Sequence, residues 1–545
     1  MTVVNQSRTN IFVYNYLWII RLCRNSECFY IAYLSILLLI SNSANADDYS
    51  VLKDSNAIAS FKSLNVVVIK GGTVFNEGTL DGITQAYIGR RIDSVMVESM
   101  RQKINQYYLK QGYLNSGVIV EDINYQTGEV SLRVVEGRLS AITFSGQGRL
   151  PKRYLKQRLW NDDRQIFNIQ LLRERIQVLL DDPMIDKVDG DLEPGDALGQ
   201  AKLNMVITRS KPYQLSFGFD NQGSVSAGEL RANSRAIIYT PLGLGDQLDL
   251  ELVGSKGGFQ GKVNYRIPIG NHQAYIELGY IKGDSDIIEA PFDRIDISSK
   301  SDRFDLSYWQ ALDSIPLTLG IGFSISQTKN FLLDQPFSFS PGEEDGRSKI
   351  SALRLTQNYS IRNNSSALSA TSTVSVGLKV FNATDHNSST RPDSSFLSWR
   401  SAFSYLHQYE KQNISLVINT SFQLAGSSLL PAERFSLGGA NLRAYRLNSL
   451  VRDQGVSATA ELNYRMKTND LYGEFIPSIF VDTGLAWDYK EFNAKEDLTA
   501  IGIGLKWKYA DRIQMNLSWA KALNSRQDNS SLQDRGIYFH LNWRL

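Results

Sequence analysis

The sequence predicts two small α+β units followed by a 16-stranded antiparallel transmembrane β-barrel. Three observations carry that fold class. From about Gln214 onward, apolar and polar residues alternate with the period of a strand rather than a helix. The connections between those alternating segments sort into short and long, which is how membrane barrels arrange turns on one side and loops on the other. After residue 46 no run of about 18 apolar residues occurs, so helical spans do not carry the chain through a bilayer.

The first 46 residues read as an export signal. Arg21 and Arg24 precede the apolar run Phe29 to Ile40, and Ser43-Ala44-Asn45-Ala46 offers a small-residue cleavage site before Asp47. The apolar run is short for a span, although the stretch before it makes the basic region long. Both cysteines, Cys23 and Cys28, lie in this leader. Cleavage would leave neither a disulfide framework nor a cysteine metal site to consider. The leader holds Arg8, Arg21 and Arg24 against Glu27, so the 58 basic and 56 acidic residues of the chain fall to 55 of each beyond it. That balance gives no electrostatic reason to expect nucleic acid as a partner.

A short N-terminal segment, 47–63, leads into the first unit, 64–138. "LNVVVIKGG" is a β-branched strand ended by Gly71-Gly72. In "SVMVESMRQKINQYYLKQGY", Val97, Met100, Ile104, Tyr107 and Tyr108 recur at helical spacing, and Gly112 can end the helix. "GVIVEDINYQTGEVSLRVVEGRL" is a hairpin turning at Thr127-Gly128. Residues 139–210 repeat the order: strand "LSAITFSG", helices "LPKRYLKQRLW" and "NIQLLRERIQVLLDDP", closing strand "AKLNMVITR". Two units of one β-α-α-β-β order form an internal repeat. Their open sheet edges can accept an extended guest strand; the pattern alone equally allows mere spacers.

Residues 211–545 form the barrel. In the last strand Ile537, Phe539, Leu541, Trp543 and Leu545 oppose Tyr538, His540, Asn542 and Arg544; in "AIGIGLKWKY" Ile501, Ile503, Leu505, Trp507 and Tyr509 oppose Gly502, Gly504, Lys506 and Lys508. Apolar faces ending in aromatics suit lipid and its interfaces, so outer-membrane lipid is an expected partner. Sixteen strands fit, from 214–223 to 535–545, an even number. Connections after even strands are as short as "PLGLG", "NNS" and "KQ", whereas 285–297, 331–346, 383–393 and 427–454 are long and polar. The opposite face carries Asp249, Glu251, Glu461, Asn463, Arg465, Lys506 and Lys508, a polar lining suited to a water-filled path.

The connection 427–454 contains "FSLGGANLRAYRLNSL", an unusual cluster for a surface loop. An arginine confined in a polar lumen would need a carboxylate, and its planar fork suits bidentate pairing. Asp482 shares inward parity with Phe480 and Gly484, so it could meet the loop from the wall. Gly438-Gly439 would let the chain turn sharply. On this reading alone, Arg443 as a solvated loop charge remains open.

The order signal, two β-α-α-β-β units and 16-stranded barrel resembles the transporters of two-partner secretion, the TpsB family (haemolysin secretion/activation proteins of the ShlB/FhaC/HecB kind). "YYLKQGYLNSGV" with "GEVSLRVVEGRL" is similar to the first of its POTRA domains, and "LLRERIQVLLDDPMIDKVDGDLEPGDALGQAKLNMVI" to the second. "LLPAERFSLGGANLRAYRLNSLVRDQGVSATAELNY", with Asp453 and Gly455 in "RDQG", is similar to the sixth loop and twelfth strand; "FVDTGLAW" is similar to the F-x-D-x-G motif of strand thirteen through Phe480, Asp482 and Gly484. The resemblance covers nearly the whole chain beyond the leader. It implies that the sixth loop folds into the lumen and that Arg443, in the tip Leu442-Arg443-Ala444-Tyr445, pairs with Asp482, with Glu461 lining the wall. Ala444 stands where the family has glycine, so its backbone is expected to avoid positive φ. The 17 residues before Leu64 leave little room for the family's lumen-threading helix.

The resemblance implies a bacterial outer-membrane pore with its POTRA domains in the periplasm. It would recruit an unfolded exoprotein of adhesin, cytolysin or contact-dependent toxin type and export it through the barrel, with room for periplasmic chaperones. A barrel-assembly insertase and a gated porin are the alternatives. No P-loop is present, and the scattered His272, His386, His407 and His540 suggest no catalytic or metal constellation, so neither an enzyme nor a cofactor is expected.

Overall fold

The computed structural model describes residues 63–545, apart from 161, 163, 271–272, 313–314, 387–390, 467–471, 511 and 525–529. The expected leader, nearly all of segment 47–63, and His272 lie outside those residues. The chain divides into two compact units at Ser210/Lys211.

The first unit holds both α/β repeats. The first comprises β1 (Val66–Lys70), α1 (Glu77–Thr84), α2 (Ser94–Lys110), β2 (Gly117–Asn124) and β3 (Glu129–Val135). Its sheet runs β1-β3-β2, with β3 parallel to β1 and antiparallel to β2. Helix α2 begins where the Asp93 side chain accepts the Met96 N–H at 2.7 Å. It ends before Gly112, which takes φ +89°. Its helical-period face (Val97, Met100, Ile104, Tyr108) is buried against Val118, Val130 and Leu132.

The second repeat comprises β4 (Arg138–Ser145), α3 (Lys152–Leu159), α4 (Ile169–Leu180), β5 (Ile185–Pro194) and β6 (Gln200–Arg209), in sheet order β4-β6-β5. Both sheets therefore place the last strand centrally and leave the first and fourth elements' strands as edges. The repeats are stitched by hydrogen bonds: the Ile169 backbone N–H donates to Gly112 O at 2.9 Å, and the Asn115 side-chain Nδ2 donates to Gly199 O at 2.8 Å.

In the second unit, sixteen long strands close into one antiparallel barrel, with the two-residue strand Gln335–Pro336 appended to its seventh strand. They run from Tyr213–Asp220 to Ile537–Arg544. Closure comes from the last strand pairing with the first, Leu541 opposite Phe219 and Trp543 opposite Phe217. Outward positions are exposed and apolar: Phe217, Leu252, Leu306, Ile321, Leu355, Ile503, Leu517 and Trp543 each expose over a third of their surface. In water this would be an untenable band; against lipid it is the required one. The ninth strand stops at Leu378 rather than near 382, because Phe381 and Asn382 both turn at φ +56°.

Candidate functional site

Inside the barrel, the connection between the eleventh strand (Ile414–Ala425) and the twelfth (Gln454–Tyr464) folds against the wall. It opens with a 3-10 turn, Pro431–Glu433, then pairs Phe435–Leu437 with Leu450–Arg452 as a short hairpin. Gly438 and Gly439 turn the tip at φ +114° and +70°. A side chain at Gly438 would strike the Arg446 carbonyl at 2.0 Å, so glycine is required there.

The wall that receives the tip is made of small residues. Leu437 and Leu442 are fully buried in one cluster with Phe480, Ala486, Ala500 and Ala520. Gly484 opens the seat: a Cβ there would lie 2.8 Å from Leu442 Cδ1 and 2.9 Å from Leu437. Gly455 does the same for Phe435, at 2.3 Å. These glycines are spaces cut for the loop rather than turn formers.

Arg443 sits beside this apolar seat. Its Nε donates to Asp482 Oδ2 at 2.8 Å and its Nη2 to Asp482 Oδ1 at 2.9 Å, a bidentate pair. The Arg443 backbone N–H adds a third bond to Asp482, at 3.1 Å. Nη1 reaches Glu461 Oε2 at 3.0 Å, and Lys506 Nζ holds the other Glu461 oxygen at 2.5 Å. The guanidinium lies over the Phe480 ring, 3.1 Å from its centroid. The Asp482 side chain has no exposed surface and that of Arg443 only 14%. Two cations and two carboxylates thus form a closed set within the lumen. Below the tip, a cavity of about 310 Å³ remains, lined by Arg443, Glu461, Lys506, Tyr538 and His540 among others.

Ala444 departs from expectation. Its φ is +74°, not negative. The residues on either side dictate this: Arg443 N–H is bound to Asp482, while Tyr445 O accepts the Gly439 N–H at 2.8 Å and the Tyr538 hydroxyl at 2.6 Å. Two fixed neighbours force the alanine into the left-handed region, at a cost of about 1 kcal/mol. Tyr445 itself is buried, its hydroxyl 2.7 Å from Thr499 O and 2.6 Å from Asn524 Oδ1.

Asp453 anchors the loop's return. Its carboxylate accepts Leu429 N–H at 3.0 Å, Arg434 Nε at 3.2 Å and Tyr489 N–H at 3.1 Å. Four further ion pairs were not anticipated from sequence. Glu433 is buried against Arg354, with Nη2–Oε1 at 2.5 Å. Arg434 also pairs with Asp488. Arg446 grips Asp534 at 2.6 and 2.7 Å and Glu289 at 3.0 Å, tying the tip to two other outer loops. Arg446 lies three residues from Arg443 in the same cluster, which was the available signal; its partners' loops approach only in three dimensions. Of the inward residues expected elsewhere, Asp249 binds Arg235 at 2.8 and 2.6 Å and Arg465 pairs with Glu474 at 2.5 Å. Among the described residues, no group of three or more His, Cys, Asp or Glu could hold a metal.

A model of the haemolysin secretion/activation proteins ShlB, FhaC and HecB matches residues 199–507, and one of the ShlB-type POTRA domain matches 63–137. The chain belongs to the ShlB/FhaC/HecB family. It is 22% identical over 466 residues to the outer membrane transporter CdiB of Dickeya dadantii, covering 82% of this chain and 80% of that protein. It is 21% identical over 491 residues to the heme/hemopexin transporter protein HuxB of Haemophilus influenzae, at 82% and 81% coverage. The solved CdiB from Escherichia coli superimposes with a TM-score of 0.66 at 17% identity, covering 91% of this chain and 93% of that one, a likeness of fold. As a member of the family, the chain is an outer-membrane transporter that exports a partner exoprotein, with its POTRA region in the periplasm.

Proposed function

We propose that the sixth loop is the gate of this export pore and that Arg443–Asp482 is its latch. The exoprotein binds first to the periplasmic α/β units by adding a strand to an open sheet edge, then threads the lumen as the loop tip leaves its seat. The observation that carries this reading is the closed charge set of Arg443, Asp482, Glu461 and Lys506, which fastens a loop, not a strand, to the inner wall. A latch of this kind holds by partners that water or a guest chain can replace one at a time, whereas the strand ladder around it stays intact. The edges β1, β2, β4 and β5 are open to a guest strand, and guest pairing there supplies main-chain hydrogen bonds without a preference for cargo sequence. The partner is a secreted exoprotein of adhesin, cytolysin or contact-dependent toxin type, delivered unfolded, with periplasmic chaperones as accessory partners. No catalytic step is involved; folding of the cargo outside supplies the bias.

The test is removal of residues 64–210. The shortened chain should still insert as a heat-modifiable barrel, while export of the cognate exoprotein stops. Export at the normal rate from such a chain would remove the recruitment step from this reading.

A further inference from the structure

The outer face of the barrel carries a charge arrangement that the export function does not use. Strands Ala274–Asp286, Ile297–Ala311, Leu317–Leu332 and Arg347–Arg362 are among the longest in the barrel. Their outward parity is set by exposed Tyr280, Phe304, Ile321 and Leu355. On that same parity, Lys300 stands directly opposite Lys329, and Lys329 directly opposite Arg347. Three cations therefore occupy one register row on three adjacent strands, about 4.8 Å apart. Like charges directly opposite one another destabilise a sheet. Lys282 and Lys349 flank the row on the outward face, with Asp284, Asp286 and Asp302 as the carboxylates of that face. Asp284 faces Lys300, Asp302 faces Lys282 and Glu344 bridges to Arg347 across a tight turn, but no carboxylate is opposite Lys329, and among the described residues none of the five cations forms an ion pair within 4 Å. Asp302 is bound instead by the Tyr280 hydroxyl at 2.7 Å.

Height decides what the row meets. Lys300 lies eleven residues along its strand from Ala311, the end nearer the short turns and hence the periplasm. At about 3.3 Å per residue and a tilt of about 40°, that is roughly 28 Å, just beyond an apolar band about 25 Å tall. Below it come Phe304, Leu306 and Tyr308, all exposed. The row thus begins where hydrocarbon ends and the outer leaflet's headgroups lie.

We propose that Lys300, Lys329 and Arg347, flanked by Lys282 and Lys349, bind the phosphate groups of a phosphorylated glycolipid of the outer leaflet. A row of cations that repel one another in the bare protein is stabilised once phosphates lie across it, and guanidinium and ammonium groups both accept that role. The occupant is the membrane's own lipid rather than free phosphate, because the row opens sideways onto the bilayer and continues directly from the apolar belt.

The test uses the full chain, purified in non-ionic detergent, beside a variant carrying Lys300→Gln, Lys329→Gln and Arg347→Gln. Without lipid, the variant should melt several degrees above the wild type, because the repulsion is gone. On titration with purified lipopolysaccharide, the wild type should bind at least tenfold more tightly and gain thermal stability, and the variant should gain little. Dephosphorylated lipopolysaccharide should not distinguish the two chains, and millimolar inorganic phosphate should not displace the bound glycolipid. Equal lipopolysaccharide affinity of the two chains, or displacement by inorganic phosphate, would overturn the proposal.

Discussion

At the scale of single residues, Arg443 and Asp482 depend on one another. Asp482 has no exposed side-chain surface, so removing Arg443 leaves a buried carboxylate with Phe480 beside it and no counter-charge of its own. Loss of one partner of such a pair costs about 3 kcal/mol, or roughly two decades in the docking equilibrium of the tip. Arg443→Ala and Asp482→Ala should therefore each free the tip and depress secretion, while the barrel still inserts. The double variant should be little worse than either, because both remove the same contact. Labelling of a cysteine placed at Ala440 would report tip exposure in all three. Ala444 offers the opposite sign. Held at φ +74°, it should gain about 1 kcal/mol of docking from Ala444→Gly, seen as slower labelling of the same cysteine.

At the scale of elements, the proposed closure rests on the sixth loop. It is held at its neck by Glu433–Arg354, at its return by Asp453 and at its outer tip by Arg446–Asp534. Excising 433–453 should raise ion conductance in planar bilayers severalfold and abolish export; unchanged conductance would assign closure to another element. Burial alone would raise the Asp534 carboxyl, but Arg446 and the Ser530 and Ser531 hydroxyls outweigh it and hold the group below the ordinary range. A pKa lowered by docking stabilises the docked loop above the ordinary carboxylate value and loses that contribution as pH falls through the lowered one. Docking should thus be flat from about pH 8 to about pH 5 and loosen only below about pH 4. A conductance rise near pH 6 would contradict that clasp.

Much of this was legible in the chain, and for physical reasons. Period-two alternation fixes which face of a strand meets lipid, so the sequence pattern alone assigns Asp482, Glu461 and Lys506 inward. The helical spacing of Val97, Met100, Ile104 and Tyr108 named the core face of α2 in the same way. The φ of Ala444 was not legible, because it is imposed by partners 38 and more residues away, Asp482 and Tyr538. Nor were Arg354 and Asp534, whose meeting with the loop depends on how the barrel closes. The reason for Gly484 and Gly455 also emerged only in space: their missing side chains are volumes occupied by Leu442 and Phe435.

At the scale of the whole molecule, a fixed strand ladder surrounds a loop fastened by side chains. On the proposed gate, export by this chain requires the loop to leave its seat without opening the barrel wall. Neither cysteine of the chain lies beyond residue 28, so an added pair can be bridged cleanly once the leader is removed. Leu442→Cys with Gly484→Cys would join tip to wall where the Leu442 side chain packs on Gly484, its Cδ1 2.8 Å from the position a Cβ would take there. With the bridge oxidised, secretion of the partner exoprotein should fall to background and return on reduction, while either single variant secretes in both conditions. Normal secretion through a chain whose bridge is shown to be fully formed would contradict the gate.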